Sequence, residues 1–90
     1  MPSSETLTPD SLGQLCLHHL AEQPSQLAEF MSITGFSPDT LRAGLGSDGL
    51  NHGLIDYFAT NEALLLALCA NTGIRPEDFM RVWARINPSG

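Results

Sequence analysis

The chain has no lysine; four arginines face ten acids, for a formal charge of −6. Such a surface repels phosphate backbones and anionic headgroups, which argues against nucleic acid and membrane surfaces as partners. No strand-like run exists anywhere in the 90 residues, and no apolar run approaches the roughly 20 residues that a membrane span requires. The opening Met1-Pro2-Ser3-Ser4-Glu5-Thr6 has neither a basic stretch nor an apolar one, so a cytoplasmic location is expected. Only two cysteines occur. Cys16 and Cys69 each fall within an apolar helical pattern, where a reduced, buried thiol acts as a small hydrophobe.

What is present is helical punctuation around apolar segments. With 42% hydrophobic residues the composition is that of a globular protein, and the length suits one domain. Asn61–Gly73 reads as a helix that is apolar nearly all round from Ala63 to Ala70. Asn61 can cap it, Glu62 complements its dipole, and Gly73 can end it in a left-handed conformation. A helix without a polar face belongs among other helices, so this one is expected at the centre.

Thr8-Pro9-Asp10-Ser11 and Ser37-Pro38-Asp39 each combine a capping hydroxyl, a first-turn proline and an acid. Gln23-Pro24-Ser25 breaks and restarts the chain, and Gly44, Gly46 and Gly49 interrupt it again before a helix capped by Ser47 or Asp48. Phe36, after Gly35, is expected to fold back on Met31 in a Schellman turn. Phe79, Val82, Trp83 and Ile86 form the apolar stripe of the last helix, with Glu77, Arg81 and Arg85 spaced four apart beside it. The predicted helices span 8–18, 25–34, 38–44, 49–59, 62–71 and 76–86. The expected fold is therefore all-α: a compact bundle of about six short helices without a sheet. A loose tail over 1–7 precedes one helical domain over 8–90.

Sliding the chain by 38 residues places Leu12 on Leu50, Ala21 on Ala59, Thr34 on Thr72, Gly35 on Gly73 and Pro38 on Pro76. Leu20 falls on Phe58, Leu27 on Leu65, Phe30 on Leu68, Phe36 on Ile74 and Leu41 on Phe79. This reads as two copies of a three-helix unit. Recurring helix starts and stops would alone account for part of the match.

Candidate chemistry is sparse. Gly44-Leu45-Gly46-Ser47-Asp48-Gly49 spells a G-x-G-x-x-G string, but no strand precedes it and Asp48 would face a pyrophosphate with like charge. The glycines read instead as a hinge between halves. Cys16, His18, His19 and His52 show no paired-ligand spacing, and His19 at an apolar position reads as a core histidine. No serine or cysteine sits beside a base on an elbow, so neither a nucleophile nor a cofactor site is expected. Asp10-Ser11-Leu12 is similar to the phosphopantetheine attachment site of acyl carrier proteins; there a whole helix precedes the serine, and here only ten residues do.

Leu20-Ala21, Phe30 through Gly35, Pro38-Asp39-Thr40-Leu41-Arg42, Leu54-Ile55-Asp56-Tyr57-Phe58, Asn61 through Leu66, and Pro76-Glu77 carry a family resemblance. From about residue 12 onward the chain resembles an alphaproteobacterial family of short proteins classed as a domain of unknown function. It departs in having His19 where an aromatic is usual, and Ile86-Asn87-Pro88-Ser89-Gly90 in place of a Leu-Pro-Gly ending. The resemblance implies a bacterial, cytoplasmic, all-helical protein and brings no activity or cofactor.

The expected core is Leu12, Leu20, Leu27, Phe30, Leu41, Leu54, Phe58, Leu65, Leu68, Cys69, Phe79 and Trp83. The favoured function is a non-enzymatic interaction module with a protein partner of unspecified identity and oligomeric state. The alternative is a small-molecule or catalytic site in a cleft between the halves, using His18, His19 or His52. Leu17 lies about 140° from Leu12, and Ile33 about 120° from Leu27, outside the expected core faces. With His18 they form the expected interaction surface.

Overall fold

The computed structural model describes residues 7–87. Six helices follow one another: α1 (Pro9–Ala21), α2 (Pro24–Thr34), α3 (Pro38–Ala43), α4 (Asp48–Ala59), α5 (Glu62–Thr72) and α6 (Pro76–Ile86). The described residues contain no strand.

The helix starts are made as their sequences dictate. The Thr8 hydroxyl accepts the Ser11 amide at 3.1 Å, and Ser11 Oγ accepts the Thr8 amide in return. Ser37 and Thr40 repeat this reciprocal arrangement at α3. Ser47 and Asn61 cap α4 and α5 singly. Pro9, Pro24, Pro38 and Pro76 open their helices, where a missing N–H costs nothing. α1 runs to Ala21, past the expected stop at 18, because no breaker occurs before Gln23-Pro24.

Leu7, assigned to the loose tail, is only 4% exposed and belongs to the core. It immediately precedes the Thr8 cap and Leu12 lies four positions beyond that cap, the two places of a hydrophobic staple. Phe36 with Leu41, and Ile74 with Phe79, occupy the same two places around α3 and α6. The remainder of the expected tail lies outside the described residues.

The expectation that α5 is the central helix is wrong; α1 and α4 form the central pair. They meet across the broadest interface, and α4, which also packs on α5 and α6, buries Leu50, Asn51, Leu54, Ile55 and Phe58. α5 buries only Leu64, Leu65, Leu68 and Cys69, leaving Leu66 and three alanines exposed. Its even hydrophobicity comes largely from alanine, whose small side chain loses little by facing water.

The 38-residue register recurs in the helix caps and in the buried positions. α2 and α5 are in register, Pro24–Thr34 against Glu62–Thr72. Both end on a left-handed glycine, Gly35 at φ 83° and Gly73 at φ 80°. Thr34 Oγ1 donates to the Phe30 carbonyl at 2.7 Å, and Thr72 Oγ1 donates to the Leu68 carbonyl at 2.8 Å. Each hydroxyl then accepts the amide two residues on, from Phe36 and from Ile74. This threonine-assisted cap stands where a Schellman turn was expected, and Phe36 stacks on Phe30, with ring centres 5.9 Å apart. In α1 and α4 the buried residues are again equivalent: Leu12 with Leu50, Gly13 with Asn51, Cys16 with Leu54, Leu20 with Phe58. Gly13 and Asn51 also touch each other, since a Cβ built on Gly13 would collide with the Asn51 side chain. The two equivalent helices α1 and α4 thus meet at equivalent positions, while α6 packs on both of them.

Leu27 and Trp83, expected in the core, are half-buried. α2 leans chiefly on α1, which leaves Leu27 open on one side. Trp83 keeps its indole edge at the surface, where Nε1 donates to Asp56 Oδ1 at 3.0 Å. The acid–base spacing on α6 resolves differently from the four-apart pattern. Asp78, nearly buried, accepts from Arg75 at 3.0 Å and from Arg81 at 3.2 Å, while Glu77 pairs with Arg75.

A candidate functional site beside the fifth helix

The features open to a partner gather along α5. Two solvent-open depressions follow one another beside it. The first, of about 280 Å³, runs between α5 and the start of α2, past Gln23, Gln26, Glu29, Asn61, Leu64 and Ala67. The second, of about 180 Å³, continues between α5 and the end of α1, past Leu15, His18, Glu22, Leu68, Asn71 and Thr72. His19 lines both and separates them.

His19 is 5% exposed, as befits a core histidine. Its ring meets Phe58 edge-on at 5.9 Å, and Nδ1 lies 3.5 Å from the Asn71 amide nitrogen. Its equivalent in the second half, Tyr57, meets Phe30 edge-on at 5.1 Å. The Tyr57 hydroxyl is enclosed without a hydrogen-bond partner among the described residues. Burial, and then the Glu29 carboxylate, raise its pKa, so it stays a neutral O–H.

The outer wall of α5 is apolar. Ala63, Leu66, Ala67 and Ala70 are exposed and stand at i, i+3, i+4 and i+7 along one stripe. Leu66, at 49%, is among the three large apolar side chains most open to water, with Leu45 and Ile33.

Of the residues expected to form a surface, two are exposed and one is not. Ile33 is 64% exposed at the end of α2. His18 is exposed too, with Nε2 3.7 Å from Glu22. Leu17, expected outside the core, packs against it, because α1 touches α2, α4, α5 and α6 and is covered on more than one side. Helical spacing within α5 could have revealed the missed stripe at Leu66 once its alanines were discounted. The groove had a subtler signal: Gln23 and Asn61, on its two walls, are 38 residues apart.

Chemical groups for a reaction are scarce. Burial, and then Cys69 nearby, push the Cys16 thiol far above its ordinary value; burial also raises Cys69. Both thiols are free, buried and held protonated, which makes them poor nucleophiles. Among the described residues no three His, Cys, Asp or Glu side chains gather as a metal site would require. The glycine string forms the turn between α3 and α4, with Gly46 at φ 81°. No single helix among the described residues is long and apolar enough to cross a membrane.

Comparison with known families places this architecture. Residues 8–89 match the family described as "Protein of unknown function (DUF3572)". The chain belongs to that family. No curated protein and no solved structure matches it. The DUF3572 match takes in all six helices and both halves of the repeat, so the groove along α5 lies wholly within the family's span.

Proposed function

We propose that this DUF3572 chain is a non-enzymatic interaction module whose partner is another protein. The observation that carries the reading is the exposed apolar stripe of Ala63, Leu66, Ala67 and Ala70 on α5. Isolated exposed apolar residues are ordinary, whereas a stripe along a whole helix marks a contact face. His18, which lines the second depression beside α5, and the exposed Ile33 are further candidate contacts, whereas Leu17 packs against the core. The net charge of −6 supports a protein partner over nucleic acid or an anionic membrane. Resemblance to an alphaproteobacterial family supports a bacterial, cytoplasmic setting.

The test is the double change Leu66→Asp, Ile33→Asp. Both side chains face water, so the melting temperature should hold while partner capture is lost. Unchanged capture would remove the stripe from the function. Leu17→Asp, by contrast, should lower the melting temperature, because that side chain rests on the core.

A second reading is favoured by the depression of about 280 Å³, into which His19, Gln23, Gln26, Glu29 and Asn61 bring polar groups. A small polar ligand there would raise the melting temperature in a metabolite screen and would be indifferent to Leu66→Asp.

A further inference from the structure

We infer that the trough beside α5 seats a short amphipathic helix of a partner protein, one whose apolar side is flanked by lysine or arginine. This rests on the interaction reading above and names the class of partner. Three features of the trough define its occupant: length, lining and charge.

The two depressions, with His19 between them, follow α5 from Asn61 to Thr72, the length of the helix. Eleven residues of helix extend about 16 Å, which accommodates about three turns of a second helix. Leu64, Leu68 and His19 lie buried at the bottom, and Gln23, Gln26 and Asn61 make the walls of the first depression polar. Beyond them the exposed α5 stripe continues the apolar surface outward. A helix lying in such a groove buries its i, i+3, i+4 and i+7 positions and leaves its flanks against the rims.

The rims are acidic and uncompensated by arginine. Glu29 stands on the α2 wall, Glu22 on the α1 wall, and Glu62 begins α5. All four arginines lie elsewhere, at positions 42, 75, 81 and 85. Arg42, Arg75 and Arg81 are paired with Asp39, Glu77 and Asp78. Negative potential is therefore concentrated along the trough, and a basic occupant is steered to it.

A second copy of the chain does not fit this description. Its arginine-bearing helix, α6, already spends its apolar stripe on the core, with Phe79 and Val82 buried. A phosphate-bearing partner would meet carboxylates.

The test uses the full chain, labelled with ¹⁵N, and two designed peptides of about 15 residues. Both carry the same leucine stripe; one is flanked by lysine and the other by glutamate. The lysine peptide should shift the amides of His19, Leu64, Ala67, Leu68 and Asn71, and the glutamate peptide should not. The double change Glu22→Lys, Glu29→Lys should weaken binding at least about tenfold at an unchanged melting temperature. The milder Glu22→Gln, Glu29→Gln pair should lose less, which guards against a folding defect in the charge reversal. Equal binding of both peptides, shifts confined to another face, or indifference to both double changes would overturn the assignment. So would light scattering that shows a dimer dissolved by the charge reversal, since a second copy would then be the occupant. The outcomes also separate this inference from the reading beneath it. If the lysine peptide leaves the trough untouched while Leu66→Asp still abolishes partner capture, the basic-helix assignment falls and the interaction module stands. If Leu66→Asp changes no capture, the module itself falls.

Discussion

α2 and α5 are equivalent in register, length and terminal cap, yet they are anchored very differently. α2 fully buries one side chain, Phe30, and props Leu27 and Met31 against the core. α5 buries four: Leu64, Leu65, Leu68 and Cys69. Their partners follow suit, since α3 buries only Leu41 while α6 buries Asp78, Phe79 and Val82. One local blueprint thus serves two purposes: the second half supplies most of the core, and the first half, apart from α1, lies over it. Turn chemistry sets where a helix begins and ends; the number of large side chains turned inward sets how firmly it is held.

The largest effect should come from Phe30→Ala, at about 3–5 kcal/mol in urea unfolding. It removes the only fully buried side chain of α2, so hydrogen-exchange protection across Pro24–Thr34 should collapse with it. The equivalent Leu68→Ala should cost about 2–5 kcal/mol and leave α5 protected, because three other anchors remain. Matching loss of protection in both helices would erase the asymmetry.

The central pair offers a second contrast. Gly13→Ala should destabilise by about 1–3 kcal/mol, because its Cβ would collide with Asn51, which is buried and donates to Asp10 Oδ1 at 3.1 Å. Gly53→Ala, with no atom within 4 Å of the added carbon, should stabilise by about 0.5–1 kcal/mol through lost backbone freedom. Thermal unfolding of the two variants should move in opposite directions.

A last contrast concerns the equivalents His19 and Tyr57. Tyr57→Phe should raise stability by about 1 kcal/mol, since it deletes an enclosed hydroxyl that has no partner. A loss of that size would mean the hydroxyl is satisfied in solution.

Much of this was readable before any coordinates. Thr8, Ser37, Ser47 and Asn61 announce their helices because a capping hydrogen bond needs only residues three apart. Gly35 and Gly73 announce their ends because a left-handed residue is set by the chain itself. The placement of α5 was not readable, because hydropathy treats Ala63, Ala67 and Ala70 as if they had something large to bury. Leu7 was missed because its role depends on Leu12, across the cap that separates tail from helix. The groove was hidden for a similar reason. Its walls come from α2, α1 and α5, and only the pairing of the two halves brings Gln23 and Glu29 opposite Asn61 and Ala67.

The contact between Gly13 and Asn51 also bears on the order in which the molecule assembles. Caps and turns close over a few residues and can form as soon as their segments exist. The α1–α4 interface joins positions 38 residues apart and must wait for a loop of that size to close, an entropic toll that no local signal reduces. During synthesis from the N-terminus, α1, α2 and α3 therefore emerge before the surface that covers Leu12, Cys16 and Leu20 has been made. Those side chains gain their main cover only when α4 has been made.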